Sequence, residues 1–508
     1  MANNYKRGNQ KGKQFGGKRN SRKPTCKDKD KETVAKPTND PSWYSKYPQL
    51  VSDTSSLFFS NPLGAKIPKL MNYAGFSLGA GLETVPGMIT INTIAVPGYS
   101  DSANSPMNAI AREIYSFIRH VNSGSKNYDA PDLMMYLLGI DSCYSFWASC
   151  IRAYGVARMY NVRSRYLAVQ HLEMMGFDPD DILSNLAQFR AEINSFAVKL
   201  SSFAAPASMD FFRRHTDMYT RVYLDEPSPK AQAYMFKLAY YYRFYNDALD
   251  GGKMLFTEFP SAKLTLAQVR SVFHSLLDPI IGDEDMNVMS GDILKAYTEN
   301  GIFKIPLIPE DYATEFVYDT TVLSQIENSM SVNYLDSTSM GVIQNPETGA
   351  IIFKPMSATG AVMIPRKILN LHTDAPTSMD VMEATRLMYT AEAAEAGSTI
   401  TGFGSEIVVG YTLWNYINNV LTPYAFASVT DLSGPIFDHI DTWNVISNVA
   451  SFNYHPRMIV WVNSEGQYKV IMDLYDLDNY TTLEDTVLAN ISNTAMLSLF
   501  DVGRIALA

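Results

Sequence analysis

The residue types best suited to chemistry are the cations at the start of the sequence. Residues 1–27 contain nine basic side chains and no acidic one. The nine are Lys6, Arg7, Lys11, Lys13, Lys18, Arg19, Arg22, Lys23 and Lys27. Lysine and arginine on a flexible backbone neutralise phosphates without reading base sequence, so this segment predicts non-specific, salt-sensitive binding of nucleic acid. A nuclear localisation signal or a solubilising tail is the alternative interpretation.

Charge is divided along the chain. Residues 1–36 carry +9 and the whole chain carries −10, which leaves −19 on residues 37–508. The basic segment contains few large apolar residues, so burial cannot offset its ordering entropy. We therefore predict that residues 1–36 form a disordered basic arm, which binds a polyanion that the acidic body repels.

The remaining motif-like residues do not match a catalytic, metal or cofactor site. The Gly-Gly-Lys at 251–253 lacks the other residues of a phosphate-binding loop, and the segment 402–405 lacks the third glycine of a dinucleotide site. The acidic residues of 282–285 are interpreted as a solvated turn rather than a polymerase metal motif. Neither the histidine spacing nor the three cysteines fit a zinc site. We assign no catalytic residue, no metal ligand and no cofactor.

Size and composition predict a large soluble body. The 508 residues are 46% hydrophobic and 19% charged, enough for a large core and two or three structural units. The sequence has no apolar run of eighteen residues and a basic rather than apolar start, so we expect neither a membrane anchor nor a signal peptide. Cys143 and Cys150 would lie about 10 Å apart on one helix, too far for a disulfide, so buried free thiols are expected.

Residues 37–105 predict an extended arm. Glycine and proline recur among apolar residues from 61 to 100, without a helical or strand period. Because these apolar side chains are costly to expose, we expect the arm to lie over a large surface of its own subunit or of a neighbour. Its interface candidates are Trp43, Tyr44, Tyr47, Phe58 and Phe59.

Helical periodicity dominates residues 106–330, which we predict to form a helical shell domain. The apolar residues of 108–121 share one helical face. Further helices are predicted at 142–160, 163–175, 180–200, 207–221, 264–277 and 310–330.

The aromatic segment 227–252 is also predicted as a helix, with proline near its start and two glycines at its end. Aromatic residues surround its axis, which requires cover on all sides. It is therefore either a core helix or a subunit contact. Its interface candidates are Tyr241, Tyr242 and Tyr245.

The period changes after residue 330. Apolar residues at 342–343 and 351–353 flank a turn, which predicts a β-hairpin insertion over 331–375 and a candidate projection. We predict that residues 376–508 form an α+β portion that completes the shell. Its elements are a helix at 378–390, β-segments within 400–413, a hairpin that pairs 458–462 with 468–472, and a helix at 482–499. The predicted fold class is α+β, predominantly α-helical with minor antiparallel β-hairpins.

A family resemblance is carried by two stretches. The first comprises Trp43, Tyr44, Tyr47, Pro48 and Leu50, followed by Asn61, Pro62, Leu63 and Gly64. The second is the run EATRLMYTAEAAEAGSTITGFGSEIV at 383–408. Together with the basic arm and the helical body, they resemble the picobirnavirus capsid proteins over most of the chain. The partitivirus capsid proteins are the nearest confusable family.

The resemblance implies a viral shell subunit, which forms homodimers and then a small icosahedral shell around a segmented double-stranded RNA genome. It also implies an inward-facing arm that is a candidate for proteolytic trimming. The expected locations are the virion and, during assembly, the host cytoplasm, and a packaged viral polymerase is a candidate partner. Two other classes stay open at this point: a non-capsid RNA-binding protein of a virus or cell, and a viral RNA polymerase.

Overall fold

The first element that the computed structural model describes is a β-strand that begins at Met88. The structure describes residues 88–500 except 125–126, 164, 226–232, 248–250, 333–334, 359–367, 372, 374, 392–396, 418–419, 426–456, 465–466, 476–479 and 483–484. The nine cations of the predicted arm and the interface candidates Trp43, Tyr44, Tyr47, Phe58 and Phe59 lie outside the described residues.

Helices form most of the regular structure in these residues. They are α1 (Pro106–Val121), α2 (Ala130–Arg163), α3 (Arg165–Met175), α4 (Pro179–Ser184), α5 (Leu186–Leu200), α6 (Asp210–Thr220), α7 (Leu266–Ile281), α8 (Glu284–Tyr297), α9 (Thr320–Glu327), α10 (Ser378–Ala384) and α11 (Asp485–Leu499). Capping residues in the sequence determine where several of these helices begin. In α7, Thr265 and Gln268 form a reciprocal capping box, and in α4 the Asp178 side chain accepts a hydrogen bond from the amide of Asp181.

The strands are short and mostly paired two by two. They are β1 (Met88–Ala95), β2 (Val222–Leu224), β3 (Ala233–Leu238), β4 (Tyr240–Asp247), β5 (Gly251–Glu258), β6 (Phe316–Val317), β7 (Ile343–Gln344), β8 (Ile351–Ile352), β9 (Ile368–Asn370), β10 (Thr390–Ala391), β11 (Ile400–Thr401), β12 (Glu406–Ile417), β13 (Val420–Ala425), β14 (Arg457–Ser464), β15 (Gln467–Tyr475) and β16 (Tyr480–Thr482). The fold is α+β and mostly helical, as predicted.

One larger sheet joins segments that are distant in sequence. Its order is β13-β12-β1-β3-β2-β6. Strand β1 runs antiparallel to β12 on one side and parallel to β3 on the other, so residues near 90 lie between residues near 235 and residues near 410. This sheet was not predicted, because the pairing of distant strands leaves no local periodicity.

The long helix α2 is the centre of the core. The helix has 34 residues, and from 133 to 157 every residue is buried except Ser142, which is partly exposed. Helices α1, α3, α5, α6 and α7 and strands β4 and β5 all contact it. A helix without a polar face requires this complete cover. Cys143 and Cys150 lie on α2 as buried free thiols, as predicted.

The helix predicted over 227–252 is wrong. The described part of this segment forms β3, β4 and the start of β5, and β4 pairs with β5 as an antiparallel hairpin from Tyr240↔Glu258 to Asp247↔Gly251. Tyrosine and phenylalanine favour strands, where their rings pack on both faces of a sheet. Gly251, predicted to end a helix, instead begins β5 opposite Asp247, and its φ of +78° is a conformation that glycine adopts without strain.

Other predicted elements are confirmed with shifted bounds. Both predicted hairpins form, as β7–β8 and β14–β15. The helix predicted at 180–200 is divided at Asn185, and of 310–330 only Thr320–Glu327 is helical, because Asp319 caps it there. The acidic residues Glu284 and Asp285 are exposed, as predicted for 282–285, but they do not form a turn: Asp283 caps α8 and the next two acids occupy its first turn.

Gly155 provides a test of packing around α2. A Cβ atom at this position would lie 2.6 Å from the backbone nitrogen of Thr314 and 2.8 Å from Cε1 of Tyr312. The Thr314 hydroxyl donates a hydrogen bond to the Arg152 carbonyl, which holds that segment against the helix. We expect Gly155→Ala to lower the free energy of unfolding by about 1–3 kcal/mol, measured by urea denaturation of unassembled subunits.

The control for this substitution lies in the same helix. At Gly139 the added Cβ would meet the end of the Ile280 side chain at 3.2 Å, and that side chain can rotate. Gly139→Ala should therefore cost clearly less than Gly155→Ala. Equal stability of the two variants would contradict the packing argument.

Candidate functional site

Among the described residues, four charged side chains from three distant segments lie together in the interior. Asp141 lies on α2, Arg214 and His215 lie on α6, and Glu406 begins β12. His215 and Glu406 have no exposed side-chain surface, and the side chains of Asp141 and Arg214 are 5% and 15% exposed. We call these four residues the buried ion cluster.

Short contacts join the buried ion cluster. His215 Nδ1 lies 2.6 Å from Asp141 Oδ2, and its Nε2 lies 3.2 Å from Glu406 Oε1. Arg214 donates to both oxygens of Glu406, from Nε at 2.6 Å and from Nη2 at 2.8 Å. This bidentate geometry is the strong form of an arginine–carboxylate pair. The four groups therefore compensate one another without solvent.

These contacts and the burial of the cluster determine the pKa values of its members. Burial alone would lower the pKa of His215, but the carboxylates of Asp141 and Glu406 outweigh it and raise the pKa to about 9. Burial alone would raise the pKa of Glu406, but Arg214 and His215 hold it well below its usual range. Burial raises the pKa of Asp141 more than His215 lowers it. His215 is therefore protonated at neutral pH.

A histidine between two carboxylates is also an arrangement found in active sites. Here the imidazole and the Glu406 carboxylate have no exposed surface, so a substrate does not reach them. His215 packs against the rings of Phe211 and Tyr219 rather than against a nucleophile. The cluster can hold β12 against α2 and α6, which is a structural role.

Arg152 forms a second buried link. It is fully buried on α2 and donates to three backbone carbonyls: Phe236 at 2.6 Å, Arg221 at 3.2 Å and Met218 at 3.4 Å. Burial lowers its pKa to about 10. These bonds join α2 to the end of α6 and to β3. Carbonyl groups near a helix C-terminus favour a cation.

The predicted interface tyrosines divide into two kinds. Tyr241 and Tyr242 are 7% and 5% exposed, and the Tyr242 hydroxyl donates to the Met340 carbonyl at 2.9 Å. Tyr245 is 42% exposed at the end of the β4–β5 hairpin, with Lys253 Nζ 5.3 Å from its ring centre. Tyr241 and Tyr242 thus pack mainly in the interior of their own chain. A role for any of the three in subunit contact stays a prediction.

The described surface also contains a cleft of about 590 Å³ beside β3 and β5, lined in part by Lys237, Tyr240, Phe256 and Phe259. Burial lowers the pKa of Lys237. Among the described residues, no three histidine, cysteine or acidic side chains are grouped so that they could hold a metal ion. In the same part of the chain, no helix is long and apolar enough to cross a bilayer.

Sequence reasoning missed the buried ion cluster. Its members come from positions near 141, 214 and 406, and no spacing connects them. The available signal was the adjacent Arg214 and His215 in a helix whose neighbours include the buried Phe211, Phe212 and Met218. Two cations beside an apolar face require buried partners, but the sequence does not identify those partners.

The fold is that of a viral capsid protein. A crystal structure of the picobirnavirus capsid matches 92% of this chain and 99% of that chain, with a TM-score of 0.70 and 24% sequence identity. The chain belongs to the picobirnavirus capsid protein family, whose family model matches residues 43–470. A capsid protein precursor of human picobirnavirus, strain Human/Thailand/Hy005102/-, is 29% identical over 522 aligned residues, which cover 91% of each protein. The predicted family is confirmed, and it is a family of structural proteins.

Proposed function

We propose that this chain self-assembles, through homodimers, into an icosahedral shell that encloses a segmented double-stranded RNA genome. In this proposal residues 1–36 face inward and neutralise RNA phosphates without base specificity. Family membership supports the role as a coat subunit. The uneven distribution of charge supports the role of the arm: residues 1–36 carry +9, whereas the rest of the chain carries −19.

The charge division favours RNA inside the shell. A cationic arm binds the phosphate backbone, which double-stranded RNA exposes more readily than its base edges. The acidic body repels polyanions, and its field is screened over about 8 Å at physiological salt. A long arm can therefore act beyond the reach of that field. An acidic body also limits binding of host nucleic acid by the assembled particle.

We propose roles for the other segments of the chain on the basis of their sequence patterns. Within the predicted arm 37–105, the aromatic residues that precede β1 are proposed to tie subunits together, because β1 itself pairs within its own chain. Residues 106–330 and 376–508 are proposed to form the shell, with 331–375 as a candidate projection. We propose no enzymatic activity. A packaged viral polymerase is a further proposed partner, and assembly is proposed to take place in the host cytoplasm.

Removal of residues 2–36 tests the arm. We expect the truncated chain to form closed particles by electron microscopy, and the nuclease-protected RNA per particle to fall several-fold, because the phosphates lose their counter-charge. RNA content is measured by absorbance ratio and by extraction after nuclease treatment. Wild-type RNA content in truncated particles would refute the role of the arm.

Two variants of unchanged length serve as controls. Replacement of the nine cations of residues 1–27 by glutamine should reproduce the loss of RNA, whereas a shuffled order of the same residues should retain it. A shuffled arm that loses RNA would indicate sequence-specific recognition instead. Absence of closed particles from the wild-type chain under every condition would contradict the proposed assembly itself.

A further inference from the structure

The outward face of α8 is apolar at its centre and charged at its ends. Its inward face includes the buried residues Met286, Met289 and Ile293. Outward, Val288 and Leu294 are 37% and 44% exposed. One turn separates each of them from Gly291, which lies between them in the middle of the helix.

Among the residues that the structure describes, no packing contact explains a glycine at position 291. A Cβ atom at this position would meet nothing within 4 Å, so packing does not require glycine. Its backbone is helical, so no special conformation requires it. Glycine in a helix interior costs about 1 kcal/mol relative to alanine. The close approach of another backbone is a physical reason for a missing side chain at the centre of an exposed apolar face.

The pattern of this face is complementary to itself. Gly291 lies near the midpoint of Glu284–Tyr297, so a second copy of α8 in antiparallel orientation would cover the whole helix. At that crossing, Val288 of each copy lies level with Leu294 of the other, on the two sides of the contact line. Such a contact uses the same patch on both subunits, as two-fold symmetry requires.

The charges of the two ends also match. Asp283, Glu284 and Asp285 are at the start of the helix, and Lys295 is in its last turn. Burial raises the pKa of Asp285, and the carboxylates of Asp283, Asp132 and Glu284 raise it further. In the antiparallel pair, Lys295 of each copy lies within one turn of Glu284 of the other.

Two further aliphatic residues extend the apolar surface. Ile281, three residues before α8, is 44% exposed, and Val121, at the end of α1, is 41% exposed. Helix α1 contacts α8, and the Asn122 side chain donates to the Asp292 carbonyl at 2.9 Å. Both residues belong to elements that adjoin α8, so in this proposal they are candidates for the edge of the contact.

We propose that α8 packs antiparallel against α8 of a second copy of this chain, across a two-fold axis at Gly291. The contact rests on the proposed self-assembly and assigns the surface through which dimers form.

Gly291→Leu tests the contact because it should make the subunit more stable and the dimer weaker. We expect the subunit to gain stability, because leucine is the better helix former and a Cβ atom at this position meets no described residue within 4 Å. We expect the dimer dissociation constant of the full-length protein to rise at least tenfold, because the two helices can no longer approach. Thermal denaturation gives the first quantity and sedimentation equilibrium the second. A variant that forms dimers as tightly as the wild type would overturn the proposal.

Charge reversal provides a second, independent test. Lys295→Glu should weaken the dimer, and the double variant Glu284→Lys with Lys295→Glu should restore it, because the pair is re-formed with reversed signs. Lys199→Glu, on the exposed surface of α5, is the matched control and should leave the dimer unchanged. A double variant as weak as Lys295→Glu would contradict the antiparallel register.

The outcomes separate the contact from the proposed function. If all the α8 variants form dimers and particles as readily as the wild type, the α8 contact is rejected while the proposed assembly stands. A wild-type chain that stays monomeric would reject the proposed assembly, and the contact with it.

Discussion

Replacement of Glu406 by alanine is expected to lower the free energy of unfolding by about 3–5 kcal/mol. Glu406 is fully buried and holds Arg214 by two hydrogen bonds, at 2.6 and 2.8 Å. Its removal leaves the Asp141 carboxylate as the remaining anion of the cluster for the cations of Arg214 and His215, while Arg214 keeps Gln325 as a neutral acceptor. Chemical denaturation of unassembled subunits measures the loss, and the start of β12 should lose hydrogen-exchange protection first.

An exposed ion pair provides the control for this substitution. Glu315 lies 3.2 Å from the Nε of Arg221, with side chains that are 66% and 33% exposed. Solvent screens such a pair, so Glu315→Ala should cost below about 1 kcal/mol. Glu406→Gln, which keeps shape and one acceptor, should fall between the two. If Glu406→Ala cost no more than Glu315→Ala, the buried ion cluster would not be what holds β12 in place.

Alkaline pH is expected to weaken the folded subunit through His215. Its pKa is raised from an ordinary 6.5 to about 9 in the folded protein. The protonated imidazole therefore stabilises the fold fully below about pH 6.5, and this contribution is lost as pH rises through about 9. The shift corresponds to a loss on the order of 3 kcal/mol. Unfolding free energies measured between pH 6 and 10 should show this decline.

The groups that face His215 do not replace this titration. Burial alone would lower the pKa of Arg214, but the Glu406 carboxylate outweighs burial and raises that pKa above its usual value. The pKa of Glu406 itself lies far below this pH range. His215→Asn should flatten the decline above pH 7, and His274→Asn should leave it unchanged, because His274 is an exposed partner of Asp278. An unaltered decline in His215→Asn would assign the titration to another group.

Local signals in the sequence predicted the parts of the fold that they control. Helix α1 follows the apolar face of 108–121, and proline stands at its first position. The β7–β8 hairpin follows the turn residues at 345–349, where the Asn345 side chain accepts hydrogen bonds from two backbone amides. In both places the side chains that decide the structure are neighbours in the sequence.

The failures share one physical cause, which is dependence on distant partners. The aromatic run of 233–247 was assigned to a helix because its rings surround an axis, but an apolar run buried on both faces is also typical of strands. Pairing of β3 with β1 and β2, and of β4 with β5, decided the outcome. The buried ion cluster likewise exists only after α2, α6 and β12 have come together. Composition revealed the charge division, but not the partners inside the fold.

Strand β1 is synthesised long before β12, one of its two partners in the large sheet. Asn92 of β1 bonds to Thr412 of β12 across a sequence separation of 320 residues. A ribosome adds roughly 5–20 residues per second, so on the order of 15–60 s pass between the emergence of these two strands. During that interval one edge of β1 lacks its partner, and open strand edges recruit other chains. We therefore expect the nascent chain to expose this edge of β1 until β12 has left the exit tunnel, which makes aggregation before that point the main competitor of folding.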